Sequence, residues 1–497
     1  MYEGTWESVR SHKVPDWYND AKLGVFVHWG LYSVPGWAPR VPDIQELLVH
    51  HGPKQMLREN PYAEWYLNTM QVKGSSTQRH HLEIYGDAYP YDDFRSGFDA
   101  SSSEADLNGL AALCEQAGAR YVVLTTRHSD GFALWPSSVP HPAKGAYQAK
   151  RDLVGDLSDA VRARGMRMGL YYSGGYDWAY NAAVLKTLAT VVLAAPQDRG
   201  YLDYVTAQVS ELIDLYHPSV LWNDISWPRG GNLADLFAYY YNAVDDGVLN
   251  DRWAEQGPRN FLTVALVHVL GGLVQALWRL IPERRKHLRF PSSKHFDFQT
   301  SEYAAVHSSS EKKWELCRGL GHSFGVNFNE QPEDIVSTGD LIQMFCDVVS
   351  KNGNLLVGIG PRPDGTTSES QRAPLLGLGD WLRVNGAAIY GSRPWKVVES
   401  ATPEGTPLRF TQGAAKGDGT HEVFAMMLGE PPSRQISLPV VDAANVERVC
   451  LLGADEPPEI STRNGTLTVT LPERFTASAV TTMALGAGVR AKSIHGL

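Results

Sequence analysis

The eight residues Leu221-Trp222-Asn223-Asp224-Ile225-Ser226-Trp227-Pro228 decide how the rest of the chain is read. The apolar run from Pro218 to Trp222 has the length and composition of a short buried strand, and Pro228 stops any regular element after it. Asn223 and Asp224 then stand where a buried strand meets its loop, which is where parallel barrels carry their chemistry. Trp222 and Trp227 flank the acid and are suited to wall a sugar ring. A second reading makes Asp224 the cap of a following helix.

Outward from this octet the chain alternates helix and strand. Leu202, Val205, Val209, Leu212, Ile213 and Tyr216 stripe a helix leading into the Asp224 strand. Before it, Leu107, Leu110, Leu113 and Cys114 make a helical stripe capped by Gly118, and Tyr121–Thr126 is a strand ending in Arg127-His128-Ser129-Asp130. Leu153, Leu157 and Val161 stripe the next helix, capped by Gly165, and Met166–Tyr172 is a strand ending in Ser173-Gly174-Gly175. Leu23–Val27 is an earlier buried strand with His28-Trp29-Gly30 after it, and Pro61–Met70 is an aromatic segment in which Glu64 and Trp65 are adjacent. Val248–Trp253 reads as a further strand end and His295–Tyr303 as a strand and loop carrying Glu302. Gly321–Gly325 and Lys351–Val357 complete the set. Repeated helix-then-strand order implies parallel strands with right-handed crossovers. Polar and aromatic residues recurring at strand C-termini favour a (β/α)8-like barrel over an open sheet. The barrel is expected over 1–398.

Within it, Phe261 to Trp278 holds no charged residue. The stretch is shorter than the about 20 residues of a membrane span and carries Gly271-Gly272 at its middle. It reads as an apolar helix in an insertion at about 257–294, buried on the barrel or against another subunit. Arg284-Arg285-Lys286 would suit that helix's C-terminus. After about residue 399 the alternation gives way to short strand-like runs, Leu408–Thr411, Glu422–Leu428, Val446–Leu452 and Leu467–Leu471, the last after a turn at Asn464-Gly465. Residues 399–497 are therefore expected to form an antiparallel β-sandwich.

The 497 residues are too many for one core. A net charge of -10, with no basic stripe beyond Arg284–Lys286, argues against a nucleic-acid partner. Cys114, Cys317, Cys346 and Cys450 lack metal-site or disulfide-framework spacing. Met1 to Asp20 has no apolar h-region, so a cytoplasmic location is expected.

Together, AKLGVFVHWGLYSVPGW from Ala21, ARYVVLTTRHSDGFALW from Ala119, LYYSGGYDW from Leu170, LWNDISWP, and KNGNLLVGIGPRPDG from Lys351 with WLRVNGAAIYGSRPW from Trp381 resemble, in the same order, the signatures of family 29 glycoside hydrolases, the retaining α-L-fucosidases. The resemblance runs from Trp17 to about Leu485. It implies a catalytic barrel, a C-terminal β-sandwich and an exo-acting enzyme that releases terminal α-L-fucose through a covalent glycosyl-enzyme. By that resemblance Asp224 is the nucleophile, and Glu302, in a TSEY stretch where the family has TPEY, is the general acid/base. Arg252 matches an arginine near the acid/base. His28, Glu64, Trp65, His128 and Tyr171 match positions that contact the sugar's hydroxyls or ring; Trp222 is a substrate-binding candidate from its place beside Asp224 alone. Phe26 and Phe324 match the wall around its methyl. The chain departs from the family's KHHDGF at Ser129, which removes one imidazole, and from its NGE at Ala387.

Retention takes two carboxyl groups about 5–5.5 Å apart, one attacking the anomeric carbon and the other shuttling the proton. Asn223, His28 and His128 are residue types able to keep Asp224 ionised. Both catalytic groups are side chains, so no cofactor and no metal is expected. The expected partner is a fucosylated glycan or glycoside; for the inserted helix homo-oligomerisation is the favoured reading, and a peripheral membrane role is the disfavoured alternative. A barrel glycosidase for a related sugar and an inactive carbohydrate-binding protein are the alternatives.

Overall fold

The computed structural model describes residues 1–492 apart from 287–290, 304–309, 416, 418, 464 and 477. Part of the expected insertion and the first residue of the expected Asn464-Gly465 turn therefore lie outside the described residues.

Eight parallel strands form one curled sheet: β1 Leu23–Val27, β2 Tyr121–Arg127, β3 Arg167–Ser173, β4 Val220–Asp224, β5 Val248–Leu249, β6 Gln299–Glu302, β7 Trp314–Gly319 and β8 Gly353–Ile359. Their order is β5-β4-β3-β2-β1-β8-β7-β6. A parallel bridge between Asn250 and Phe298 links the two edges, β5 and β6. The expected barrel is thus present. Strands covered on both faces read as near-continuous apolar runs, and every residue of LGVFV in β1 is buried. Alternate side chains divide between two cores. Phe26, Val123, Tyr171, Trp222, Cys317 and Leu356 pack in the lumen. Val25, Val27, Leu124, Leu170, Leu221 and Val357 pack outward under the helices. The lumen has a polar floor. Glu315, fully buried, accepts from Tyr18 Oη at 2.9 Å, from Tyr121 Oη, and from Trp222 Nε1 at 3.1 Å.

The C-terminal region packs a five-stranded antiparallel sheet on a three-stranded one. Leu408, Phe410, Ile436, Leu438, Val469 and Met483 fill the space between them. The strands Pro407–Ala415, His421–Leu428 and Thr466–Thr470 lie where the sequence predicts them. The run expected at Val446–Leu452 contracts to Cys450–Leu451. The first strand of the large sheet, Arg393–Ala401, begins before residue 399. Phe424, Met426 and Val480 on its outer face share the barrel's outer core.

Four local expectations fail. Gly321–Gly325 is loop, and the strand of that unit is β7, whose sequence WELCRG hides its burial behind Glu315 and Arg318. Trp227 does not wall the mouth. It is buried against Trp253, ring centroids 5.0 Å apart, in the outer core. The apolar helix exists, at Phe261–Ala276, but none of its residues is buried. Arg285 and Lys286 lie well past its end, in and just after a separate 3-10 turn, Glu283–Arg285. Among the described residues no helix is long and apolar enough to cross a membrane.

Candidate active site

Asp224 ends β4 and caps no helix; the next one starts at Leu233 behind Asn232. Beyond Asp224 the backbone takes two successive left-handed residues, Ile225 at φ 65° and Ser226 at φ 89°. A β-branched residue is rarely found there, and such strain collects at functional sites. The turn returns the Ile225 N–H to Asp224 Oδ1 at 2.9 Å. It fits because two glycines follow β3: a Cβ on Gly175 would sit 2.1 Å from the Ile225 carbonyl oxygen. Asn223 does not contact the acid. Its Nδ2 donates to the carbonyls of Ser226 and Arg252, at 3.0 and 2.8 Å, and so ties the loops after β4 and β5 together.

Arg252, at the end of the β5 segment, joins the two carboxylates. Nη1 donates to Asp224 Oδ1 and Nη2 to Glu302 Oε2, both at 2.9 Å. Its Nε donates to Thr300 Oγ1 at 2.9 Å, and Thr300 in turn donates from Oγ1 to Asp251 Oδ1 at 2.7 Å. The guanidinium lies over the Trp222 ring, 5.0 Å from its centroid. A planar fork held at three nitrogens and one face leaves both carboxylates little freedom. Each acid has a phenol as well. Tyr171 donates to Asp224 Oδ2 at 3.0 Å and Tyr62 to Glu302 Oε1 at 2.6 Å. Burial, then the neighbouring carboxylate, holds each phenol well above its ordinary pKa, so both remain donors.

Around this pair lies a wall of rings. Phe324 stacks on His28 at 4.8 Å, Phe26 meets His28 at 4.3 Å, and His128 stacks on Tyr171 at 5.5 Å. Burial, then the nearby His128, drives His28 well below the ordinary imidazole pKa. Burial takes His128 down to about 4, with Asp224 opposing and Arg127 adding. Both rings are therefore neutral at pH 7 and each offers one donor and one acceptor. His28 Nδ1 and His128 Nδ1 are buried with no partner among the described residues. Such orphaned atoms are costly unless a ligand or water meets them. Glu64 accepts from the Gly325 N–H at 2.9 Å and Ser323 Oγ at 3.2 Å, and burial still pushes its carboxyl up to about 7. Trp65, half-buried beside it, meets Trp178 edge-on at 5.4 Å.

The candidate residues thus converge at one end of the barrel: Asp224, Glu302, Arg252, Tyr171 and Trp222 through direct contacts, and His28, His128, Phe26 and Phe324 through ring contacts. Glu64 and Trp65 stand behind them on the turn Ala63–Trp65. The donors on Asp224 are Tyr171, Arg252 and its own loop, not Asn223, His28 or His128. Ser129 is fully buried and its hydroxyl pairs with Ser173 at 3.0 Å, so nothing takes the place of the second imidazole from that position. Tyr62 and Thr300 are unassigned in the sequence reading; Tyr62 lies in the proline-aromatic run that carries Glu64 and Trp65, and Thr300 is marked only by its place two residues before Glu302. Among the described residues, His12, His295 and Asp297 have their ligating atoms within 4.8 Å of one another. That group is tied to Tyr241 and Leu249 rather than to the paired acids.

The sequence model of the Alpha-L-fucosidase family matches residues 1–387. The chain belongs to that family. This fucosidase-family chain is 30% identical over 409 residues to an alpha-L-fucosidase of Dictyostelium discoideum, covering 80% of this chain and 76% of that protein. It is 28% identical to the human tissue alpha-L-fucosidase, covering 91% and 84%. Its structure is similar to crystal structures of Thermotoga maritima alpha-fucosidase. For one of them the TM-score is 0.81, with 37% identity and 98% and 100% of the two chains covered. That protein has also been crystallised with a mechanism-based inhibitor and with fucose.

Proposed function

We propose that this fucosidase-family chain is an exo-acting retaining α-L-fucosidase, with Asp224 as nucleophile and Glu302 as general acid/base. The observation that carries the reading is the shared guanidinium: two carboxylates at the ends of different strands meet on Arg252. Double displacement needs such a pair flanking one glycosidic bond. Asp224 attacks the anomeric carbon while Glu302 protonates the departing oxygen, giving a glycosyl ester on Asp224. Glu302 then takes a proton from water as that water opens the ester. Tyr171, Arg252 and the Ile225 N–H hold the attacking oxygens in position and favour negative charge there.

The surroundings suit a deoxy sugar. The orphaned nitrogens of His28 and His128 would meet ring hydroxyls, and Phe26 and Phe324 offer an apolar wall to a methyl group. A wrong hydroxyl that leaves a buried imidazole unmet costs about 1–3 kcal/mol. A methyl contributes only about 0.8 kcal/mol. Sugar identity is thus set mainly by the hydroxyl contacts.

The test is turnover of a nitrophenyl α-L-fucoside, with α- and β-galactosides for comparison, by wild type, Asp224→Gly and Glu302→Ala, with and without azide. Asp224→Gly is expected to be inactive and, with azide, to give the β-fucosyl azide; Glu302→Ala should give the α-azide. Full activity in Asp224→Gly would overturn the assignment, and a preference for a galactoside would overturn the sugar.

A further inference from the structure

We infer that the segment around the Phe261–Ala276 helix docks this protein onto an anionic lipid surface. A helix that is apolar on all sides normally sits in a protein core or a bilayer. This one sits in neither: Phe261 is 85% exposed, Leu262 75% and Leu280 78%, and Leu266, Val269, Leu270 and Leu273 are exposed as well. It rests on the helix Leu188–Leu193, where Gly271 allows close approach to Ala189, and that helix adds an exposed Val192 and no charge. With 16 residues it spans roughly 24 Å, short of the hydrocarbon core of a bilayer, so it lies in the interface and does not cross it.

Charge selects the occupant. The whole chain carries -10, yet residues 256–286 hold five basic residues and the single acid Glu283. Arg279 and Arg285 are exposed beside the apolar surface. Lys286 is turned inward onto the Val49 carbonyl and Trp278, and Arg259 onto the Val192 carbonyl. Apolar residues bordered by arginines match an anionic headgroup layer. An isologous contact between two copies would instead bring two net-positive segments together. The acidic remainder of the molecule is repelled by the same layer, which fixes the orientation. The segment leaves Arg252 and returns to Glu302, so docking occurs beside the barrel mouth.

The experiment is co-sedimentation of the full chain with vesicles of phosphatidylcholine alone or mixed with phosphatidylglycerol. Binding is expected only to the mixed vesicles and should weaken with added salt. Leu262→Ser/Leu266→Ser/Leu270→Ser, at exposed positions, should abolish it. Arg279→Glu/Arg285→Glu should lower it by roughly tenfold or more. Circular dichroism and fucoside turnover of the same samples report folding, and both variants should keep both. Equal binding to neutral vesicles, or none to either, overturns the proposal. So does a wild-type dimer that the leucine variant dissociates in sedimentation equilibrium, which would place a second copy on the helix. Vesicle binding is read independently of turnover, so the docking and the proposed reaction fail separately.

Discussion

Arg252 is the residue on which the candidate site depends most. It is 3% exposed and pairs with two acids that are themselves mostly buried. A buried charge deprived of its partner costs about 3–5 kcal/mol, and here two would be left. Arg252→Lys keeps the charge but supplies one nitrogen where three are used. We expect kcat/KM on a nitrophenyl fucoside to fall by about 100-fold, since losing charged hydrogen bonds costs roughly 1.5–3 kcal/mol each, while the melting temperature changes little. An unchanged kcat/KM would mean that the bridge is dispensable. Glu64 makes a pH prediction. Burial raises its carboxyl from 4.5 to about 7 in the folded protein. The folded state therefore binds the extra proton, and the resulting stability is full below about 4.5 and lost as pH rises through 7. Glu64→Gln removes this dependence. Relative to the variant, wild type should lose about 3 kcal/mol between those limits, read from denaturant midpoints across pH. His128, lowered to about 4, acts in the opposite sense, its contribution disappearing as pH falls below 6.5.

At the scale of elements, the ends of β3 and β4 work as a unit. Gly174 and Gly175 let the strained Ile225-Ser226 turn lie against β3, and a Cβ on Gly174 would come 2.4 Å from Asn223 Oδ1. Backbone cannot rotate away as a side chain can. Gly175→Ala should therefore shift the Asp224 loop, at a cost of about 1–3 kcal/mol. Its expected signature is a kcat loss of tenfold or more with a melting temperature within a few degrees of wild type, measured by turnover and calorimetry. Normal kcat would show that the loop relaxes without moving the acid. The inserted helix is the contrasting element. Its composition is legible as apolar, but where a 16-residue apolar segment comes to rest depends on which surfaces remain open once the barrel has formed.

For the whole molecule, the C-terminal sheets are part of the barrel's support. Phe424, Met426, Val480 and Ala484 belong to the same core as the barrel's outer residues, and Trp381 Nε1 donates to the Val480 carbonyl at 3.4 Å. Arg409 and Lys351 both pair with Asp347 on the helix Thr338–Ser350. A chain ended at residue 392 would expose this surface, and we expect it to be insoluble or inactive on expression. A soluble, active 1–392 protein would show the two parts to be independent.

By itself the sequence determined the barrel, most of its strand boundaries and the identity of the paired acids' strands. Most of those strands are buried on both faces, so each of them appears as a short apolar run bounded by glycine and polar residues, and the polar residue that ends the run stands at the mouth; β6, QTSE, is partly exposed and was located by Glu302 and the TSEY resemblance instead. β7 escaped because its luminal positions hold Glu315, whose burial is made possible by Tyr18, Tyr121 and Trp222 from three other segments. The tertiary structure alone decided that Trp227 turns outward, that Ser129 pairs with Ser173, that Tyr62 reaches Glu302, and that one guanidinium spans two acids 78 residues apart in the chain. Each of these depends on side chains from distant segments arriving at one point. Local spacing carries no record of such meetings, because they are fixed by how eight strands close and not by the order of residues along any one of them.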